Sequence, residues 1–280
     1  MVGRAVTDYC RSLGDVTFPY DHRGLDIADC DRVTQTLKQD APEVVINCAA
    51  WTDVDGCELD PDRAFAANAA GPENLAQASR EIGAQLITIS TDYVFDGSKE
   101  GFYTQRDEPR PESSYGLSKL EGERRAQAAN ARTAVVRTGF IFGVGGTNFL
   151  STIIQRAARG EKLKSIRDAY GTPTYAPDLA QRLRKLADLD LPGIYHVVNA
   201  GPGVSYLEFA RTALDLGGFA ETNLESVDMD SLNRPAARPR NSRLRCLLSE
   251  AIGLTPLPFW KDALAAFAAL EQTHQTAAKG

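Results

Sequence analysis

The sequence predicts an α/β fold, a doubly wound parallel sheet carrying a second, smaller α/β domain. Three observations lead there. Residues 43–48, 85–89, 133–137 and 194–198 are short apolar runs rich in β-branched side chains, the length and composition of buried strands. Longer stretches of helical periodicity separate them, the alternation that a parallel sheet with crossover helices requires. No internal repeat, heptad array or low-complexity block competes with this reading.

The composition narrows the function classes. A chain of 280 residues with 43% hydrophobic content has material for one large or two modest cores. The net charge of −6 is spread with both signs mixed, and no basic stripe marks a nucleic-acid partner. An anionic small ligand would need a local basic pocket instead. Five cysteines, an odd number without a Cys-x-x-Cys, do not form a disulfide framework, and Cys48 reads as a small core residue. His22, His196 and His274 have no metal-ligand spacing, so no metal site is expected from them. No apolar run of spanning length and no signal-peptide pattern occurs, which makes the cytoplasm the expected location.

Taken in order, residues 2–13 read as a helix and residues 16–18 as a strand. A dinucleotide-binding unit begins one step earlier, with a strand and a Gly-x-x-Gly-x-x-Gly turn feeding that helix. Here Gly3 alone stands where the last glycine of such a turn would be. The sequence therefore reads as one begun at an internal methionine, its sheet N-terminally incomplete and its grip on cofactor weakened. In the segment that follows, Asp21 suits a ribose hydroxyl and Arg23 a 2′-phosphate, so NADH and NADPH are both signalled. Asp26 reads as the cap of a helix over 29–39. The strand at 43–48 runs into Ala49 and Ala50, small enough for a cofactor to approach the backbone. Trp51 suits stacking or core packing equally, and Thr52, Val54 and Asp55 follow in a loop. Residues 61–82 are helical, with a break expected at Gly71-Pro72, and Asn68 is a mid-helix polar residue seeking a backbone partner.

Residues 97–112 form a polar loop, long enough to cover a substrate. Residues 143–146 are a glycine-rich joint and the first domain boundary. A helix over 148–159, a strand at 162–166, a return at 171–175, a helix over 177–186 and the strand at 194–198 follow. Helices at 205–216 and 259–270 complete the smaller domain, before a frayed tail from 272 to 280. The expected division is 1–146 with 172–199 for the dinucleotide and 147–171 with 200–280 for the substrate. Between the last two helices, residues 234–245 carry five arginines, either a phosphate-binding loop or a solvated basic one.

The chemistry concentrates between Ser90 and Lys119. Thr91 ends the strand at 85–89, where open parallel sheets place ligands. Tyr115 and Lys119 stand four residues apart at the start of a helix and share a face. A phenol titrates near pH 10, so it needs help to act as an acid or base at neutrality. A nearby ammonium stabilises the phenolate, and lowering the phenol by about three units takes roughly 4 kcal/mol. This trio suits ketone reduction, with Tyr115 giving the proton and Thr91 orienting the carbonyl oxygen.

The combination resembles the extended short-chain dehydrogenases/reductases, and within them the dTDP-4-dehydrorhamnose reductase family. Residues 47–55, 90–97, 115–119, 137–143, 168–174 and 238–244 carry the resemblance, which spans nearly the whole chain. It implies a Rossmann-type sheet and reduction by NADPH or NADH of the 4-keto group of a nucleotide-sugar, dTDP-4-dehydro-L-rhamnose. It implies a catalytic Thr91, Tyr115 and Lys119, and cofactor contacts from Gly3, Asp26, Ile27, Ala49, Ala50, Thr52, Asn68, Tyr115 and Lys119. Substrate contacts would come from Val54, Asp92, Asn148, Arg238 and Arg240. Some relatives pair as homodimers through the small domain with a bound divalent cation such as Mg. Two alternatives stay open. Nucleotide-sugar dehydratases and epimerases share Tyr-x-x-x-Lys, but dehydratases use an acidic pair after the threonine where this chain has Asp92 and Tyr93. A non-catalytic regulatory subunit, like the methionine adenosyltransferase beta subunit, would fit the loss of the glycine turn.

Overall fold

Four of the apolar runs become the parallel strands of the main sheet. The structure is a computed structural model and describes residues 1–219 and 223–277. Helix α1 (Val2–Ser12) and helix α2 (Cys30–Asp40) precede β1 (Val44–Asn47). Short helices α3 (Val54–Leu59) and α4 (Pro61–Phe65) lead through a π turn, Ala66–Ala70, into α5 (Gly71–Glu81). Then come β2 (Gln85–Thr91), α6 (Ser114–Ala129), β3 (Thr133–Thr138) and β4 (Ile141–Phe142). The second half holds α7 (Phe149–Ala158), β5 (Leu163–Ile166), β6 (Tyr170–Gly171), β7 (Thr174–Tyr175), α8 (Ala176–Leu189) and β8 (Gly193–His196). It ends with β9 (Asn199–Ala200), β10 (Val204–Ser205), α9 (Tyr206–Leu216), β11 (Leu224–Val227), α10 (Leu247–Ala251), β12 (Leu257–Phe259) and α11 (Trp260–Ala277).

The main sheet has the order β1-β2-β3-β8, every pair parallel. Period-two alternation along β2 decides its two faces. Ile87 and Ile89 join Val6, Leu179 and Leu183 under α1 and α8, while Leu86 faces Val33, Leu75 and Ala126 under α2, α5 and α6. Burial on both faces explains why β2 and β3 are continuous apolar runs rather than alternating ones. A separate core collects Phe142, Ile153, Ile154, Phe209, Trp260, Leu264 and Phe267 from β4, α7, α9 and α11. Its strand pairs, β11 with β5 and β10 with β6, lie outside the main sheet.

Several sequence expectations need correction. Residues 16–18 form no strand; Val16 is 83% exposed. Its β-branched composition is favourable, but no neighbouring strand supplies ladder hydrogen bonds among the described residues. Asp26 does not cap α2. Asp29 does, accepting from the Arg32 amide at 3.1 Å, while Asp26 turns to the nearer Ala28 amide. The helix is not broken at Gly71-Pro72: the π turn widens the backbone just ahead, so proline sits in the first turn of α5 where its missing N–H is not needed. Helix α11 continues past residue 272 to Ala277, and the rest of the expected tail, 278–280, lies outside the described residues.

Candidate active site

Local chemistry fixes the start of α6 and with it Tyr115. Ser113 Oγ accepts from the Gly116 amide, and Glu58 Oε2 accepts from the Ser114 amide at 2.9 Å, so two orphan N–H groups are satisfied. Gly116 and Gly122 let the helix press close: a Cβ at Gly116 would lie 2.3 Å from the Tyr93 carbonyl oxygen, and one at Gly122 2.0 Å from that of Asn68. The Tyr115 ring packs among Cys57, Ala64, Trp51 and Val54 and meets Tyr93 edge-on at 6.0 Å.

The three expected catalytic side chains converge at the C-terminal end of β2. Thr91 Oγ1 accepts from the Tyr93 amide at 3.1 Å and reaches Asp92 Oδ1 at 3.2 Å. Lys119 Nζ donates to the Ile89 carbonyl at 2.7 Å. Burial pushes the Tyr115 phenol above its ordinary value, and the adjoining Thr91 hydroxyl opposes that shift. The sequence suggests a phenol pulled down by Lys119; in the structure the ring is too dry for that, and the ammonium points to a backbone carbonyl. Tyr115 therefore keeps its proton at neutral pH. Burial also pulls Lys119 down to about 8, against the charge of Glu123. Asp92, 3% exposed, is pushed up to about 6 by burial.

Asn68 is the joint of this site. Its Oδ1 accepts from the Trp51 amide at 2.8 Å, and its Nδ2 donates to the Trp51 carbonyl and to Ser118 Oγ. Ser118 in turn donates to the Tyr115 carbonyl. One amide in the π turn thus ties the loop after β1 to the turn of α6 between Tyr115 and Lys119. The backbone partner expected for Asn68 is Trp51.

Other expected contacts are placed as follows. Gly3 lies in the first turn of α1, 3.7 Å by its would-be Cβ from Cys48 beyond β1, and α1 has no side-chain cap and no acidic residue in that turn. Ala49 and Thr52 are exposed and Ala50 half-buried on the rim. Ile27 packs with Leu25, Val33 and Leu75 and accepts from Asn74 through its carbonyl. Asp21 accepts from the amides of Arg23 and Gly24. Asn148 is exposed and caps α7: its Oδ1 accepts from the Ser151 amide and its Nδ2 donates to the Ile141 carbonyl, both at 2.9 Å. Asn148→Ala is accordingly expected to cost about 1 kcal/mol in urea denaturation; an unchanged midpoint would rule out the cap's contribution.

Arg238 and Arg240 are both engaged. Arg238 grips Asp55 with two parallel bonds, 2.9 and 2.8 Å, and holds that carboxyl below the usual range. Arg240 pairs with Asp168 and Asp230. They border a cleft of about 560 Å³ that Arg234, Asp96 and Glu112 also line. A phosphate entering there must exchange with carboxylates. Sequence reasoning missed the Arg238–Asp55 pairing, and it missed the buried Arg137–Glu123 pair behind Lys119.

The residues present fit a nicotinamide dinucleotide. An uncapped helix start suits a phosphate, the small residues after β1 leave room, and Ser90 Oγ is buried without a hydrogen-bond partner among the described residues. Among the described residues no group of three or more His, Cys, Asp or Glu is placed to hold a metal. No helix among them is long and apolar enough to cross a membrane.

The sequence matches the RmlD substrate binding domain family over residues 1–273. A curated dTDP-4-dehydrorhamnose reductase of Streptomyces griseus is 38% identical over 270 residues, covering 94% of this chain and 88% of that one. The solved structure of a dTDP-4-dehydrorhamnose reductase from Clostridium acetobutylicum superimposes with a TM-score of 0.92 at 36% identity, over 97% of this chain and 96% of that one. That of Bacillus anthracis, in complex with NADP, gives a TM-score of 0.91 at 33% identity, over 95% and 94%.

Proposed function

We propose the activity of this chain from its kinship: it belongs to the RmlD substrate binding domain family, that of the dTDP-4-dehydrorhamnose reductases. It is an oxidoreductase that reduces the 4-keto group of dTDP-4-dehydro-L-rhamnose to dTDP-L-rhamnose, a precursor of cell-surface polysaccharide. The cofactor is NADP, which enters the reaction in its reduced form; the Bacillus anthracis relative is solved in complex with NADP. NADPH and a nucleotide-sugar are both cytoplasmic metabolites, and we place the reaction there. Residues 1–146 with 172–199 hold the dinucleotide and 147–171 with 200–280 the sugar nucleotide.

When bound, the nicotinamide supplies a hydride to the carbonyl carbon. The protein's part is to manage the charge that grows on the carbonyl oxygen. Tyr115 keeps its proton until that oxygen becomes basic enough to take it, which burial of the phenol ensures. Thr91 accepts from the Tyr93 amide, so its own proton is free to swing from Asp92 to the substrate oxygen. Once the proton has gone, the Lys119 ammonium, one helical turn along α6, stabilises the phenolate as a cation. The Tyr115 ring and the apolar side chains around it keep water from competing for the proton. The convergence of Thr91, Tyr115 and Lys119 at the end of β2 is the observation that carries this reading.

Purified chain mixed with NADPH and dTDP-4-dehydro-L-rhamnose should consume the reduced nicotinamide and yield dTDP-L-rhamnose. No NADPH binding by fluorescence titration, or binding without turnover, would reject the reading. The pH profile has a definite sign. The cationic form of Lys119 is the working one and is lost as pH rises through about 8, so kcat should halve near there and fall about tenfold per further unit.

A further inference from the structure

The Tyr115–Lys119 stripe continues one more turn along α6, to Glu123. Glu123 is 3% exposed, and its partner Arg137, on β3, is equally buried. Arg137 Nε donates to Glu123 Oε1 at 2.9 Å and Nη2 to Oε2 at 2.7 Å, a two-pronged grip on the carboxylate. The guanidinium also lies over the Phe95 ring at 5.3 Å, which fixes it from a third side. Lys119 makes no ion pair among the described residues; its ammonium donates to the Ile89 carbonyl. A buried ammonium therefore sits one helical turn from a buried carboxylate without contacting it.

We propose that Glu123, clamped by Arg137, is a positioning residue for Lys119: its carboxylate keeps a buried ammonium cationic, while Arg137 holds that carboxylate off the ammonium and leaves the ammonium's donors to the site. The proposal rests on the reductase reading for what Lys119 serves, but not for how Lys119 ionises. Each group facing the ammonium has a defined charge. Cys48, beyond β1, is a thiol pushed up to about 12 by burial and is neutral when Lys119 titrates. Tyr115 on the same helix is neutral. Asp92, at the end of β2, acts on Tyr115 and Thr91 rather than on Lys119. Burial holds His196, paired with Arg137 across β3 and β8, down to about 4, so it adds no charge. Glu123 is the one anion left to offset the cost of burying Lys119. Without Arg137, the same carboxylate would be drawn into a direct salt bridge at (i, i+4) spacing.

The test follows the Lys119 ammonium itself by nitrogen-detected NMR against pH, its signal assigned by disappearance in Lys119→Met. Glu123→Gln should weaken proton binding at Lys119 by about tenfold or more and carry the alkaline limb of kcat to lower pH by the same amount. Arg137→Met should do the opposite, raising the Lys119 midpoint while lowering turnover and raising the KM for NADPH. A merely structural pair would lower the rate at every pH without moving the limb. If either single variant fails to fold, Glu123→Met with Arg137→Met replaces the pair by apolar side chains, an exchange that buried ion pairs often tolerate. That double variant should place the Lys119 midpoint below the wild type and above Glu123→Gln, because it removes the Arg137 cation as well. A wild-type midpoint in it, or in folded Glu123→Gln, overturns the proposal. Loss of turnover in the unmodified chain would instead reject the reductase reading and leave the NMR midpoint as a separate result.

Discussion

Replacing Tyr115 by Phe is expected to lower kcat by about a hundredfold or more, with little change in stability or in the KM for either substrate. The asymmetry comes from how the side chain is held. Its ring is packed by Cys57, Ala64, Trp51, Val54 and Tyr93, and phenylalanine keeps every one of those contacts. What disappears is the hydroxyl, and with it the proton that the developing alkoxide must receive. A positioned acid is worth about a hundredfold to ten-thousandfold, or roughly 3 to 5 kcal/mol of barrier. Water is a poor substitute because the residue is only 9% exposed. Steady-state rates over a pH series would decide it. A loss below about tenfold would mean that another group supplies the proton, and Asp92, pushed up to about 6, would be the first to examine.

The site was legible in the sequence as far as its parts are local. Thr91 follows directly from a strand end, and the Tyr115–Lys119 spacing needs only the pitch of a helix. Both signals lie within a few residues, so the structure reproduces them. What pairs across the chain was not legible. Glu123 meets Arg137 across 14 residues and two elements, and Asp55 meets Arg238 across 183. Nothing in a sequence joins those four charges, because ionic side chains are rarely buried unless paired, and the partner cannot be seen. The arginine-rich segment 234–245 was recognised as basic, yet Arg238 and Arg240 are already paired with carboxylates from outside it. Residues 16–18 teach the same lesson for the fold: strand propensity is realised only where a neighbouring strand is present. The reversal at Tyr115 arises because desolvation depends on packing from several elements, which no spacing rule reports.

Gly122→Ala is the second large effect, and two simple arguments give it opposite signs. Helix propensity alone predicts a gain of about 1 kcal/mol, since alanine replaces glycine inside α6. Close packing predicts the reverse. The added methyl would lie 2.0 Å from the Asn68 carbonyl oxygen, 3.2 Å from its carbon and 3.4 Å from the Ala69 Cα. All three are backbone atoms of the π turn, so no side chain can swing away, and α6 must lift by more than an ångström. The lift would strain the Asn68 bonds to Trp51 and Ser118 and displace Tyr115 and Lys119 together. Overpacking of this kind typically costs about 1–3 kcal/mol and occasionally more, and a contact this short with backbone puts it at the upper end, so the net effect after the propensity gain is a loss of about 2 kcal/mol. A misplacement of about 1 Å at the reacting groups lowers turnover by about a hundredfold in addition. Arg124→Ala, on the exposed side of the same helix, should stay within about 0.5 kcal/mol of the parent and serves as the control. Urea denaturation with rate measurements on both variants distinguishes the two arguments. A Gly122→Ala protein as stable as the parent would show that α6 and the π turn are not in the tight contact on which the placement of Tyr115 and Lys119 depends.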